Sequence, residues 1–404
     1  MNFSMRWLPV VLLCAVVSLV AHAQQPRKRA IVGSVAAATA KAGLAYPGLS
    51  AAQLIGFSTG FLTFSHIETP ATGLGPVFNE VSCAMCHSLP SSGGGGRQFV
   101  TRFARRIDGV FDPMTSLGGS VLQDHVIPGG GNLHLFGAER VPDFATIVTH
   151  RRTTPLFGLG LVDFTSDADF VALAAAEAAR GDGLAGRVNM TDNIRAGTKT
   201  VGKFGWKAQT PTLLQFAGDA LLNEMGITTP DFPNENCPQG NCAELAFNPA
   251  PGLNATGVKP AELQDYMWLL AAPERGPQNA DTTEGEQIFQ NIGCTACHVS
   301  TLTSGQSFIA VLDHKTYHPY SDFLLHDMGS LGDDLEMGNA TGTEMRTAPL
   351  WGLRFIIRYL HDGRATTLDQ AILAHEGQGA ASHDRFAALS VDAKGKLLAF
   401  LRSL

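Results

Sequence analysis

Two five-residue stretches share one pattern, Cys83-Ala84-Met85-Cys86-His87 and Cys294-Thr295-Ala296-Cys297-His298. Cysteines separated by two residues place both sulfurs on one side of a turn. There each sulfur can add to a vinyl group of a haem, and the adjoining histidine lies beneath the porphyrin as an iron ligand. A zinc ribbon would hold its two Cys-x-x-Cys knuckles much closer together than positions 83 and 294. A redox dithiol does not require a histidine after each pair. The pattern therefore predicts two covalently bound haem c groups, one on Cys83, Cys86 and His87, the other on Cys294, Cys297 and His298.

Residues 1–23 read as a secretory signal, with Arg6 as the basic start, Trp7 to Val20 as the apolar run, and cleavage after Ala23 in Ala21-His22-Ala23. The run is short for a membrane span, and Leu13 before Cys14 argues against a lipid anchor. A processed chain without a membrane span is expected in the periplasm; an uncleaved N-terminal anchor is the alternative. Of the seven cysteines, Cys14 leaves with the signal and four belong to the two motifs. Cys237 and Cys242 are expected to close a small disulfide loop in an oxidising compartment, a free reactive pair being the alternative. A net charge of −7 gives no footprint for nucleic acid.

Along the chain, residues 24–48 read as a mobile lead-in and 49–271 as a first haem-binding domain. Residues 272–280, with Pro273, Gly276 and Pro277, read as a linker, and 281–404 as a second domain. Phe57, Phe61 and Phe64 recur at helical spacing, and residues 97–150 read as inserted loops and short strands. Ser166 with Asp169 predicts a helix start. Helices are expected from Thr212 to Met225, from about Pro260 to Leu270, from a cap at Asp281 to Phe289, and from Val391 to Leu404. The expected fold is mainly α, two cytochrome c-like domains, the N-terminal one enlarged by loop and short-strand insertions. No internal repeat beyond the two motifs stands out.

Several stretches, in order, resemble the bacterial di-haem cytochrome c peroxidases, and more closely their di-haem oxidoreductase branch. They are Gly73-Leu74-Gly75-Pro76-Val77-Phe78-Asn79, Arg151 to Gly160, Phe204 to Ala208, Asn223 to Thr228, Leu325-His326-Asp327-Met328-Gly329, Ala348 to Leu353, and Leu360-His361-Asp362-Gly363-Arg364. The resemblance implies a C-terminal haem that passes electrons to an N-terminal haem, where hydrogen peroxide or oxygen reacts. It implies a tryptophan between the haems, matched by Trp206, and a Gln and a Glu on the open face of the first haem, matched by Gln215 and Glu224. A carboxylate there can carry the proton between peroxide oxygens, and an amide can hold developing charge.

Where the peroxidases place a methionine 14 residues after the His-Asp-Gly motif, this chain has His375. Thr366 and Asp369 would cap the helix that presents it. Met328 and Met345 are rival ligands. A His/His iron has a lower potential than a His/Met one. Residues 356–359 lack the Thr and Pro with which the peroxidases hold calcium, so no calcium is expected. Ten further histidines follow the signal besides His87 and His298, and His125, His134 and His150 are candidates for a resting sixth ligand of the first haem. A small cytochrome or cupredoxin is the expected electron donor. The alternatives are oxidation of a protein or organic partner, as in the quinone-maturing and rubber-cleaving relatives, and a plain di-haem electron carrier.

Overall fold

The structure, a computed structural model, describes residues 42–127 and 138–404. The signal segment, most of the expected lead-in and His134 lie outside the described residues.

Two pairs of helices repeat the same contact. The helix Ala51–Ser65 starts at Ser50, whose hydroxyl and Gln53 form a capping box, and it crosses the helix Val258–Leu269. At the crossing, Gly60 lies against the Glu262 carbonyl and Tyr266, leaving no room for a Cβ. Four residues on, Phe64 packs 4.8 Å from the Tyr266 ring and 6.0 Å from the ring of His87. The helices Ala280–Asn291 and Val391–Leu401 cross in the same way. Gly285 lies against the Lys396 carbonyl, and Phe289 packs 5.3 Å from Phe400 and 6.1 Å from His298. Each motif histidine thus sits beside a glycine-and-aromatic helix crossing. The contacts repeat although the intervening chain differs in length.

In chain order, a small antiparallel sheet follows the first helix of the first pair. Its nine-residue strand Phe99–Ile107 pairs with Val110–Asp112, Ser120–Val121 and Ile147–Arg152. Successive strand residues face opposite ways. Arg151 and Arg152 accordingly diverge: Arg151 ion-pairs with buried Asp333, while Arg152 caps the Trp206 ring.

One apolar core gathers residues such as Phe64, Phe157, Leu213, Leu221 and Tyr266, and also takes in Ile309, Tyr317, Phe323 and Trp351 from beyond residue 280. A second core consists of residues between Phe289 and Leu404. The described residues belong to one compact unit, and none of their helices is long and apolar enough to cross a membrane.

Several local expectations shift. The end of the expected mobile lead-in is pinned: Ala45 bridges Leu270, and Ala42 is buried. Asn279, with Thr282, caps the helix Ala280–Asn291, which puts Asp281 in its first turn. Thr367 with Gln370, one residue beyond the expected Thr366 and Asp369, caps the helix Leu368–Leu373. Both helices begin where a side-chain oxygen reaches the N3 amide, and in each case a neighbour competed for that role. Thr212 and Ser166 cap their helices as expected, and Cys237 is bonded to Cys242.

Asp333 ties these parts together. Its carboxylate is fully buried between Arg151 Nη2 (2.6 Å) and Lys207 Nζ (3.1 Å), and Lys207 also donates to the carbonyls of Thr341, Gly342 and Glu344. Burial alone would raise the Asp333 pKa, but the two cations hold it below the usual carboxylate range. Its share of stability is therefore present above the unfolded carboxyl pKa and is lost as pH falls through the lower folded value. Asp333→Asn leaves two buried cations uncompensated, so denaturant unfolding should show a loss of about 3–5 kcal/mol. A loss under about 1 kcal/mol would contradict the assignment.

Candidate functional site

The second motif follows its helix without a break. Gly293, at φ 90°, turns the chain, and Cys294–Ala296 form a single tight turn. His298 Nδ1 donates to the Tyr320 carbonyl at 2.8 Å. Opposite it, His375 lies two residues past the helix Leu368–Leu373, and its Nδ1 donates back to the Ala371 carbonyl at 2.8 Å. Both rings are thereby held with Nε2 unprotonated and aimed away from the backbone. Burial lowers both pKa values, that of His298 to about 4.

The ring centroids are 6.5 Å apart. Two imidazole–metal bonds of about 2.0–2.1 Å, plus roughly 1.1 Å from each Nε2 to its ring centre, span about 6.3 Å. Cys294, Cys297, His298 and His375 line one mainly apolar cavity together with Leu350, Leu368 and Ile372. These donors and this wall fit a six-coordinate haem. Met328 and Met345 also line the cavity, but it is His375 that faces His298.

Trp206 borders the same cavity. Gly205, at φ 82°, delivers it from the chain, and its Nε1 donates to the Arg152 carbonyl at 3.1 Å. Its ring meets the edge of His361 at 6.2 Å.

At the first motif, Cys83–Cys86 form one helical turn, and His87 Nδ1 donates to the Gly94 carbonyl at 3.1 Å. A backbone carbonyl thus accepts from Nδ1 here as it does at His298 and His375. Burial pushes the thiols of Cys83, Cys86 and Cys294 up to about 12, so they carry almost no thiolate at neutral pH, which disfavours a redox dithiol. Among the described residues, no second imidazole faces His87 at the separation seen for the His298–His375 pair.

Glu224 is brought to this motif by a backbone contact. Gly75 packs directly on Gly226, the left-handed residue that ends the helix Leu213–Met225. The Glu224 carbonyl then accepts from the amides of Asn79 and Glu80, three to four residues before Cys83. Asn79 Nδ2 donates to the Glu224 carboxylate at 2.7 Å. Burial raises the Glu224 pKa, with Asn79 and Arg102 opposing, and its charge is felt at Cys86.

Gln215 is placed differently. Its Nε2 donates to the Asp192 carbonyl and its Oε1 accepts from the Ile194 amide, so the amide holds the hairpin 189–202. It lines a polar cavity of about 520 Å³ with Asp219 and Asn223. His125 is exposed, paired with Asp124 and stacked on Phe78, and His150 is exposed beside Thr101.

The sequence reading gave His326 no role, yet it is buried against the second motif. Its Nε2 donates to Asp322 at 2.8 Å and its Nδ1 lies 3.5 Å from the Cys297 sulfur. Burial works against protonation, but Asp322 and Cys297 push its pKa up to about 11. Its only sequence signal was membership of Leu325-His326-Asp327-Met328-Gly329, where nothing marks an imidazole as paired.

The model of the family described as "Di-haem oxidoreductase, putative peroxidase" matches residues 140–404. The chain belongs to the di-haem oxidoreductase family. Two haems per chain follow from that membership, and the two Cys-x-x-Cys-His sites offer one place for each. No curated protein matches the sequence. Similar solved structures include hydrazine synthase of Kuenenia stuttgartiensis, at 14% identity over 98% of this chain and 99% of that one, with a TM-score of 0.40. A MauG-like protein associated with microbial copper homeostasis is 14% identical over 62% of this chain and 89% of that one, with a TM-score of 0.31.

Proposed function

We propose that this di-haem oxidoreductase is an exported, periplasmic enzyme of two cytochrome c-like units that reduces hydrogen peroxide at the N-terminal haem. In this reading both haems are bound as thioethers, at Cys83 and Cys86 and at Cys294 and Cys297. His298 and His375 would hold the second iron, whose haem would supply electron storage and relay, with Trp206 bordering that site. His87 would hold the first iron. The observation that carries the reading is this inequality: one motif histidine faces a second imidazole at 6.5 Å and the other, among the described residues, does not. Calcium has no part in the reading. The reductant is a small periplasmic electron carrier.

The first haem supplies the redox chemistry when bound, and the chain supplies the proton handling. Glu224 is half-buried, is held by Asn79, and has its pKa raised by burial, so it can both accept and return a proton. Gln215, its amide committed to the hairpin, positions the helix that carries Glu224 and is given no part in charge stabilisation.

In a peroxide-reduction assay with a reduced small cytochrome as donor, Glu224→Gln should lower kcat by about 10²–10⁴-fold. As a base, Glu224 must be ionised, so wild-type activity should rise with pH through its raised pKa, and that limb should vanish in the variant. Turnover within threefold of wild type, with the limb retained, would sink the role.

A further inference from the structure

Arg152 and Arg346 are cations without anions, Arg346 buried and Arg152 half-buried. Arg346 is 8% exposed, and its Nε and Nη1 donate to the carbonyls of Gly205 (2.7 Å) and Thr347 (3.1 Å). Arg152 is likewise held by the carbonyls of Leu360 (2.8 Å) and Thr153 (3.3 Å). Among the described residues no carboxylate forms an ion pair with either, and neither Nη2 has a protein partner. Asp322, the carboxylate that acts on Arg346 through space, is already bonded to His326. Burial lowers both guanidinium pKa values only to about 10, so both stay charged at neutral pH.

Both side chains line the cavity of His298 and His375, and both flank Trp206. The Arg152 guanidinium lies 5.2 Å from the centre of the Trp206 ring, and the Arg346 amide donates to the Trp206 carbonyl at 2.9 Å. His361, whose carbonyl accepts from the Arg152 amide, has a buried Nε2 with no partner, its ring set edge-on to Trp206. A buried and a half-buried cation and an unpaired ring nitrogen around one indole together favour an anion in this cavity. A haem brings two carboxylates on one edge, and Arg forks match carboxylates in geometry.

We infer that Arg152 and Arg346 bind the propionates of the haem at the second motif, with His361 Nε2 as a further partner, so that Trp206 lies at that haem's propionate edge. This assignment rests on the haem attachment proposed above. It makes the two arginines positioning residues for the cofactor and places the cations where they stabilise the reduced iron.

The test is spectropotentiometry of the haem-loaded full chain, with haem content and ferric electron paramagnetic resonance recorded on each sample. Arg152→Gln and Arg346→Gln, made singly, should keep two haems per chain and the low-spin signal of the His298–His375 site. Each should lower the midpoint potential of that haem, shifting its ferric/ferrous ratio at least tenfold at fixed potential, about 59 mV for one electron. Arg→Lys at each position should stay within threefold. If a glutamine variant does not accumulate, methionine, which keeps the buried stem, replaces it. Two haems and a ratio within twofold of wild type in the charge-removed variants would overturn the inference. A wild-type chain without covalent haem would instead overturn the attachment on which it rests.

Discussion

His375→Ala should leave both haems attached and yet remove one low-spin ferric signal, replacing it with a high-spin one. The reason is geometric. His298 and the proposed attachment at Cys294 and Cys297 are untouched, but the ring that faces His298 at 6.5 Å, fixed by its Nδ1 bond to Ala371, is gone. His375→Met should keep the iron low-spin and raise its midpoint potential by on the order of 0.1 V, within the ~0.8 V range that axial ligands cover. Thioether ligation favours the ferrous state relative to imidazole. Met328 and Met345 line the same cavity, so the experiment also decides between ligands. An unchanged spectrum and potential in His375→Ala would give the sixth position to one of those methionines.

The second large effect concerns attachment. Cys294→Ala with Cys297→Ala should drop covalent haem, read by pyridine haemochrome after acid–acetone extraction, from two per chain to one, and should abolish the low-spin signal. Cys83→Ala with Cys86→Ala should also leave one covalent haem, with the low-spin signal retained. The difference follows from the unequal surroundings of His298 and His87. Equal spectral losses from both substitutions would mean two equivalent sites.

Much of this was legible because the signals are short and local. Thr212 and Ser166 announce helix starts, and Cys237 and Cys242, five residues apart and outside both Cys-x-x-Cys-His motifs, are bonded to each other. The helix that presents His375 was also readable, although its cap shifted by one residue. The repeat of Gly60 and Phe64 by Gly285 and Phe289 was not. Cys83 follows Gly60 by 23 positions, but Cys294 follows Gly285 by only nine, so no fixed period exposes it. A Gly-x-x-x-Phe search upstream of each motif would have found it.

Long-range charge was equally hidden. Nothing local tells Arg151, which meets Asp333, from Arg152, which faces a cavity; the strand's alternation decides it. Gln215 matched a pattern by spacing, but its amide found the 192–194 backbone, a partner supplied only by the folded hairpin.

The central claim is that the two irons are unequally coordinated. Electron paramagnetic resonance of the purified ferric protein, before and after hydrogen peroxide, tests it most directly. The account predicts one high-spin and one low-spin haem, with peroxide altering the high-spin signal first. Two low-spin signals that peroxide leaves unchanged would contradict it.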